Sequence, residues 1–166
     1  MAIKAITANI QGGGALERHL KEIEKRLGRG AHVRVGFLEG ATYPAMAEGA
    51  KGLPVATVAF WNEFGTRNAP ERPYFRTMIE RKSPRWGVSL GNLLRKNNYD
   101  AERSLALMGE GIKGQLQKSI VDWSEPPNSP RTVARKGFNK PLIDSALMLR
   151  SVDYQVLDGL VGDDEE

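Results

Sequence analysis

Cysteine is absent from the chain, which excludes disulfides, thiol nucleophiles and cysteine-ligated zinc or iron–sulfur sites. Histidine is scarce: His19 and His32 are the two present, with no His-x-x-x-His pair and no carboxylates at ligand spacing, so no metal site is expected. Gly87-Val88-Ser89-Leu90-Gly91 spells Gly-x-Ser-x-Gly, but it falls within the helical run of Trp86, Leu90, Leu93 and Leu94 and not on a strand-to-helix turn, so no serine hydrolase is expected. The glycines at 12–14 lack the Lys-Ser/Thr of a phosphate loop and read as a hinge. No apolar run approaches the roughly 18 residues that cross a bilayer, and "MAIKAITANIQGGG" lacks the pattern of a secretory signal. A soluble, intracellular protein at synthesis is the expectation.

What is present fits one folded domain. The 166 residues are 40% hydrophobic and 27% charged, enough to bury a single core. Eighteen glycines and nine prolines punctuate it. The net charge of +4 is uneven: "DGLVGDDEE" at 158–166 holds five carboxylates, leaving +9 on residues 1–157. Between Arg67 and Lys96 eight basic residues face Glu71 and Glu80 alone, a patch able to steer polyanions or acidic protein surfaces.

Periodicity divides the chain. Leu16, Leu20, Ile23 and Leu27 mark an amphipathic helix ended by Gly28 or Gly30. In "HVRVGFL" Val33, Val35 and Phe37 alternate with His32 and Arg34, the pattern of a half-buried strand. Residues 39–54 read as a loop or flap. A short helix from Pro54 to Gly65 pairs Val58 with Trp61 and Phe60 with Phe64, and both pairs are expected under cover, with Trp61 and Phe64 in the core. Two prolines then stiffen the chain before a helical turn with Phe75, Met78 and Ile79 inward and Arg76, Glu80 and Arg81 outward. Ser83 and Pro84 look like the start of the next helix, with Trp86, Leu90, Leu93 and Leu94 as its stripe. Asp100 can cap a long helix striped by Leu105, Met108, Ile112, Leu116 and Ile120. Gly109, Gly111 and Gly114 within it point to close backbone approach. The excursion at 121–140 holds a helix capped by Ser129, begun by Pro130 and ended by Gly137. A last strand alternates Val152, Tyr154 and Val156.

The predicted architecture is α+β: a single domain with a small, mostly antiparallel sheet packed with helices. A flexible leader (1–14) and an acidic, disordered tail (158–166) flank the domain at 15–157. Two strands make a poor sheet, so others are expected in the loops or from neighbouring copies.

The stretch "WNEFGTRNAPERPYFR" at 61–76 combines aromatics, prolines and arginines. An acid–base pair of Glu63 and Glu71 is disfavoured, because Glu71 should be ionised beside Arg67 or Arg72 and so a poor general acid. Arg67, Arg72, Arg76, Arg81 and Arg85 with Tyr74, Phe75 and Trp86 superficially match a nucleic-acid surface, but Phe75 and Trp86 sit in apolar stripes and read as core. Arginine and aromatics on a stiff segment are also the composition of a protein interface.

"VAFWNEFGTRNAPERPYFR" resembles the central signature of tailed-phage tail completion and neck proteins, related to the HK97 gp10-like and phage virion morphogenesis groups. The matching residues are Glu63, Phe64, Gly65 and Thr66, then Pro70, Arg72, Pro73, Phe75 and Arg76. A closing pattern is similar too, at Ser129, Pro130, Thr132, Lys140, Pro141, Leu142, Asp144 and Leu147, and the likeness spans roughly 15–157. Ser145-Ala146 replaces a usual Thr-Gly, which suggests a right-handed turn there.

The resemblance implies a structural, non-enzymatic subunit without cofactor that assembles as a ring, commonly a hexamer, at the head-tail junction of a virion. It would complete or terminate the tail, with the neck or connector on one side and tail-tube or terminator protein on the other. Extended loops or arms would serve ring assembly. Arg67, Arg72, Tyr74, Arg76, Arg81 and Arg85 are the expected interface. Trp61, Glu63, Phe64, Gly65, Pro73, Phe75, Asp144 and Leu147 are the expected core or turn of the signature. DNA could pass through the ring without specific binding. The alternative is a DNA-binding packaging accessory protein of the virion.

Overall fold

The computed structural model describes residues 13–28, 30–38, 40–45 and 51–159. Most of the leader, the centre of the flap and residues 160–166 of the tail lie outside the described residues.

The elements run in the order α1 (Gly13–Leu27), β1 (Ala31–Phe37), α2 (Val55–Phe64), α3 (Tyr74–Lys82), a 3-10 turn (Ser83–Arg85), α4 (Trp86–Lys96), α5 (Ala101–Asp122), α6 (Pro130–Lys136), α7 (Leu147–Arg150) and β2 (Val152–Asp158). The fold is α+β, and among the described residues its sheet has two antiparallel strands. Further strands are not found there; Thr42–Pro54 and Thr66–Ala69 make isolated bridges.

Register puts Val33 opposite Val156, Val35 opposite Tyr154 and Phe37 opposite Val152. Because side chains alternate, these six share one face, and that face packs on α5. A Cβ placed on Gly109 would come within 2.6 Å of the Tyr154 ring and 2.9 Å of a Val33 methyl. The close approach expected of the α5 glycines is thus real at Gly109. At Gly111 and Gly114 a Cβ would meet nothing within 4 Å.

Helix α5 is the spine. The Asp100 carboxylate accepts the Arg103 N–H at 3.0 Å, satisfying one of the donors a helix start leaves over. Leu105, Met108, Ile112, Leu116 and Ile120 are all buried, the last four in one cluster with Val55, Ala59, Tyr74, Met78, Leu142, Met148 and Val152. Trp86 Nε1 donates to Gln115 Oε1 at 2.9 Å, which fixes α4 along the same spine. The α4 stripe of Trp86, Leu90, Leu93 and Leu94 is half-buried.

Several local expectations change. Ser83 makes no side-chain capping bond and instead closes α3, its N–H donating to the Ile79 carbonyl; α3 runs through Lys82 and a 3-10 turn with Pro84 in its first positions leads into α4. Ile79 points outward and Phe75 is half-buried. Leu16, Leu20 and Leu27 of α1 are exposed, with Ile23 half-buried. Ala146 adopts φ 58°, ψ 12°, a left-handed conformation rather than the right-handed turn expected of a non-glycine residue. The start of α7 needs that reversal, and it overrides the preference of alanine.

The excursion at 121–140 folds back onto the body. Lys140 Nζ donates to the Val121 carbonyl at 3.2 Å across its base. Ser129 Oγ accepts the Thr132 N–H, and Gly137 at φ 78° ends α6, as its Ser-Pro and Gly signals require.

Candidate functional site

The 61–76 stretch forms the joint between α2 and α3, and its centre is a carboxylate. Glu63 is 5% exposed. Its carboxylate accepts the Phe75 N–H at 2.9 Å and the Arg76 N–H at 3.1 Å. Helix α3 has Pro73 at its cap and no capping side chain of its own, so Glu63 supplies from α2 the acceptor that the α3 start lacks. A negative charge there also meets the positive end of the helix dipole. The Arg76 guanidinium lies 3.7 Å from Glu63 and 2.6 Å from Glu71. Glu71 therefore pairs with Arg76, and not with Arg67 or Arg72.

Gly65 makes this joint possible. At φ 75°, ψ 176° it occupies backbone space that is essentially glycine's alone. A Cβ there would stand 2.9 Å from the Glu71 nitrogen and 3.0 Å from the Ala69 carbonyl oxygen.

Two residues expected at an interface are interior. Tyr74 is 0% exposed; its carbonyl accepts the Ser119 hydroxyl at 2.8 Å, and its phenol pKa is raised by burial and secondarily by the Glu63 charge. Arg72 is 8% exposed and donates to the carbonyls of Pro126 and Pro127 at 3.1 and 3.4 Å, tying the joint to the excursion. Burial lowers its pKa. The reason is positional: Arg72 and Tyr74 point into the angle between α2, α5 and the excursion, where carbonyls need donors.

The expected core aromatics are outside. Trp61 is 41% exposed and Phe64 54%, with Phe60 beside them. Helix α2 buries Val55, Ala59 and Glu63 instead, because the line that faces the core is also the line that must present the carboxylate to α3. The Phe60 and Phe64 rings lie 4.6 Å apart, and the Arg76 guanidinium sits 5.4 Å from the Phe64 ring centre, within cation–π range. Arg67, Arg81 and Arg85 are exposed. Pro73 is half-buried at the α3 cap, Leu147 is half-buried against the core, and Asp144 is exposed in an ion pair with Arg135 at 2.9 Å.

Sequence reasoning missed a cleft of about 1060 Å³ between α2, the joint, α6 and the approach to α7. Lys51, Arg72, Arg135 and Lys136 line it around an apolar wall that includes Val58, Leu142 and Met148. Buried Asn128 Nδ2 has no hydrogen-bond partner among the described residues. No short motif could reveal the cleft, since its cations come from three separated segments. A second cleft of about 410 Å³ mixes Arg81, Lys82 and Lys118 with Asp122 and Glu125, and Lys118 is already paired with Asp122 at 2.8 Å. Among the described residues no group of three His, Asp or Glu could hold a metal ion, and no helix is long and apolar enough to cross a membrane.

Searches of family models, of curated proteins and of solved structures returned no match to this chain.

Proposed function

We propose that the chain is a structural subunit of the head-tail junction of a tailed phage virion, completing or terminating the tail and joining it to the neck or connector as a ring. The observation that carries this reading is the outward aromatic face of α2. A short helix that buries a glutamate and exposes Phe60, Trp61 and Phe64 is built to be covered by protein, because aromatics beside an arginine are typical interface anchors. The resemblance of the 58–76 signature to tail completion and neck proteins says which kind of assembly. In support, β2 has one edge without a ladder partner among the described residues, and pairing across copies in a ring would satisfy such an edge. The reading assigns no reaction and no cofactor to the chain.

The contact surface is revised accordingly. Arg67 and Arg76 stay with the aromatic face, Arg81 and Arg85 lie further along, and Arg72 and Tyr74 act from inside by holding the joint. The test is the Phe60→Ser, Phe64→Ser double variant, followed by sedimentation, electron microscopy and incorporation into particles. A chain that keeps its circular dichroism and thermal transition but no longer assembles supports the reading. A particle structure in which residues 61–76 touch no other protein chain removes it. Steep salt-dependent duplex DNA binding, lost on replacing Arg81, Lys82 and Arg85, would instead favour the packaging accessory.

A further inference from the structure

Among the described residues the large cleft sets four cations against one carboxylate, Asp144, which is ion-paired with Arg135. Arg72 donates to the Pro126 and Pro127 carbonyls and Lys136 to the Lys140 carbonyl at 2.6 Å, neutral partners that leave their charge unmatched. Burial depresses the Lys136 pKa, Asp144 raises it, and Arg135 and Arg72 push it down again. Arg72, Arg135, Lys136 and Lys51 line one cleft, where an anion would meet several like charges at once. Beside them Val58, Leu142 and Met148 offer an apolar wall. The chemistry of the site asks for carboxylates next to small aliphatic side chains.

One segment of this chain has that composition. Residues 160–166 read "LVGDDEE", an aliphatic pair followed across a glycine by four carboxylates. We infer that the cleft is the seat for the acidic segment 160–166 of a second copy of this chain. The inference rests on the ring-forming reading and names one of its contacts.

Geometry favours a neighbour's segment over the chain's own. Met148 lines the cleft, β2 begins nearby at Val152, and it ends at Asp158, about 20 Å further on at roughly 3.3 Å per residue. The eight residues after Asp158 span at most about 29 Å when extended, and the carboxylates begin only at Asp163. At about 17 Å from Asp158 that residue stops short of the chain's own cleft, which only the last carboxylates reach along a fully straightened tail. A copy arranged head to tail meets no such limit, and a contact between different surfaces of like subunits is the kind from which rings close.

The test measures binding of a fluorescein-labelled peptide of residues 159–166 to the full-length chain by anisotropy at low salt. Saturable binding is expected, weakened at least about ten-fold when the peptide's four carboxylates become amides, weakened similarly in the Arg135→Gln, Lys136→Gln chain, and falling as salt rises. Because Arg135 is exposed and Lys136 half-buried at the end of a short helix, this variant should stay folded, which circular dichroism checks. No saturable binding, equal binding of the amide peptide, or undiminished binding to the cleft variant overturns the inference. So does a single-stranded oligonucleotide that displaces the peptide at lower concentration than unlabelled peptide does. If particles still assemble through the aromatic face while the peptide fails, the tail seat falls alone. If assembly fails but the peptide binds as described, the cleft still takes the acidic segment, and what falls is the ring reading together with the segment's place in a ring.

Discussion

Helix α5 buries the side chains its periodicity singles out, whereas α2 turns its large aromatics outward and buries a glutamate. Both lie against the same core. Along α5 a 22-residue helix packs against α3, α4 and both strands, and apolar area is the quantity being optimised. Along α2 a 10-residue helix must also finish its neighbour. An ionised carboxylate is costly to bury unless its oxygens are bonded, and Glu63 is bonded to the first turn of α3 and flanked by Arg76. The lesson is that a polar residue with a structural bond to make can displace aromatics from the inside of a short helix.

The sharpest way to break this comparison is truncation in each helix. Leu116→Ala, in the fully buried stripe, should cost about 3–4 kcal/mol in denaturant unfolding, while Phe64→Ala should cost under about 1 kcal/mol. Equal losses would mean the α2 aromatics are core after all. Next, Glu63→Ala should destabilise by about 3 kcal/mol, since two α3 donors lose a charged acceptor; a loss below about 1 kcal/mol would deny the capping role. The α5 glycines sharpen the other side. Gly109→Ala must push Tyr154 or Val33 and should cost about 1–3 kcal/mol, yet Gly114→Ala, in open space, should gain up to about 1 kcal/mol. Thermal melts of the two variants should shift in opposite directions.

Smaller effects follow at single positions. Ala146→Gly should raise stability by about 0.5–1 kcal/mol, the left-handed penalty of alanine less the extra unfolded-state freedom of glycine. Tyr74 bears on alkaline stability. Its folded pKa is raised, so the native state keeps the proton after the unfolded chain begins to lose it near pH 10. Its contribution is full below about pH 10 and is lost as pH rises beyond it. Tyr74→Phe should flatten the alkaline decline while changing the neutral-pH melt little; an unchanged alkaline slope would show that Tyr74 does not govern it.

Much of the fold was legible because the relevant signals are local. The Asp100 cap, the Ser129-Pro130 start and Gly137 stop of α6, and the alternation in both strands each involve residues within one turn or one ladder. The sites were less legible. Arg72 and Tyr74 read as interface residues on composition, but their partners, the carbonyls of Pro126 and Pro127 and the Ser119 hydroxyl, lie some 45 to 55 positions away in the chain. The cationic cleft is lined by residues from Tyr43 to Met148, with its cations at 51, 72, 135 and 136, and has no local trace.

Taken alone, the order of residues determined the Asp100 cap of α5, the start and stop of α6, the alternation of both strands, which stripe α5 hides, and that Gly65 closes α2. Those outcomes depend on backbone preferences and on side chains within a few positions of one another. Only the tertiary structure decided that Glu63 goes inside and Phe64 outside, that Ala146 accepts a left-handed turn, and that Arg72, Arg135 and Lys136 gather around one cleft. Each of those depends on a hydrogen bond or a charge brought near by distant chain, and such proximity exists only once the core has formed.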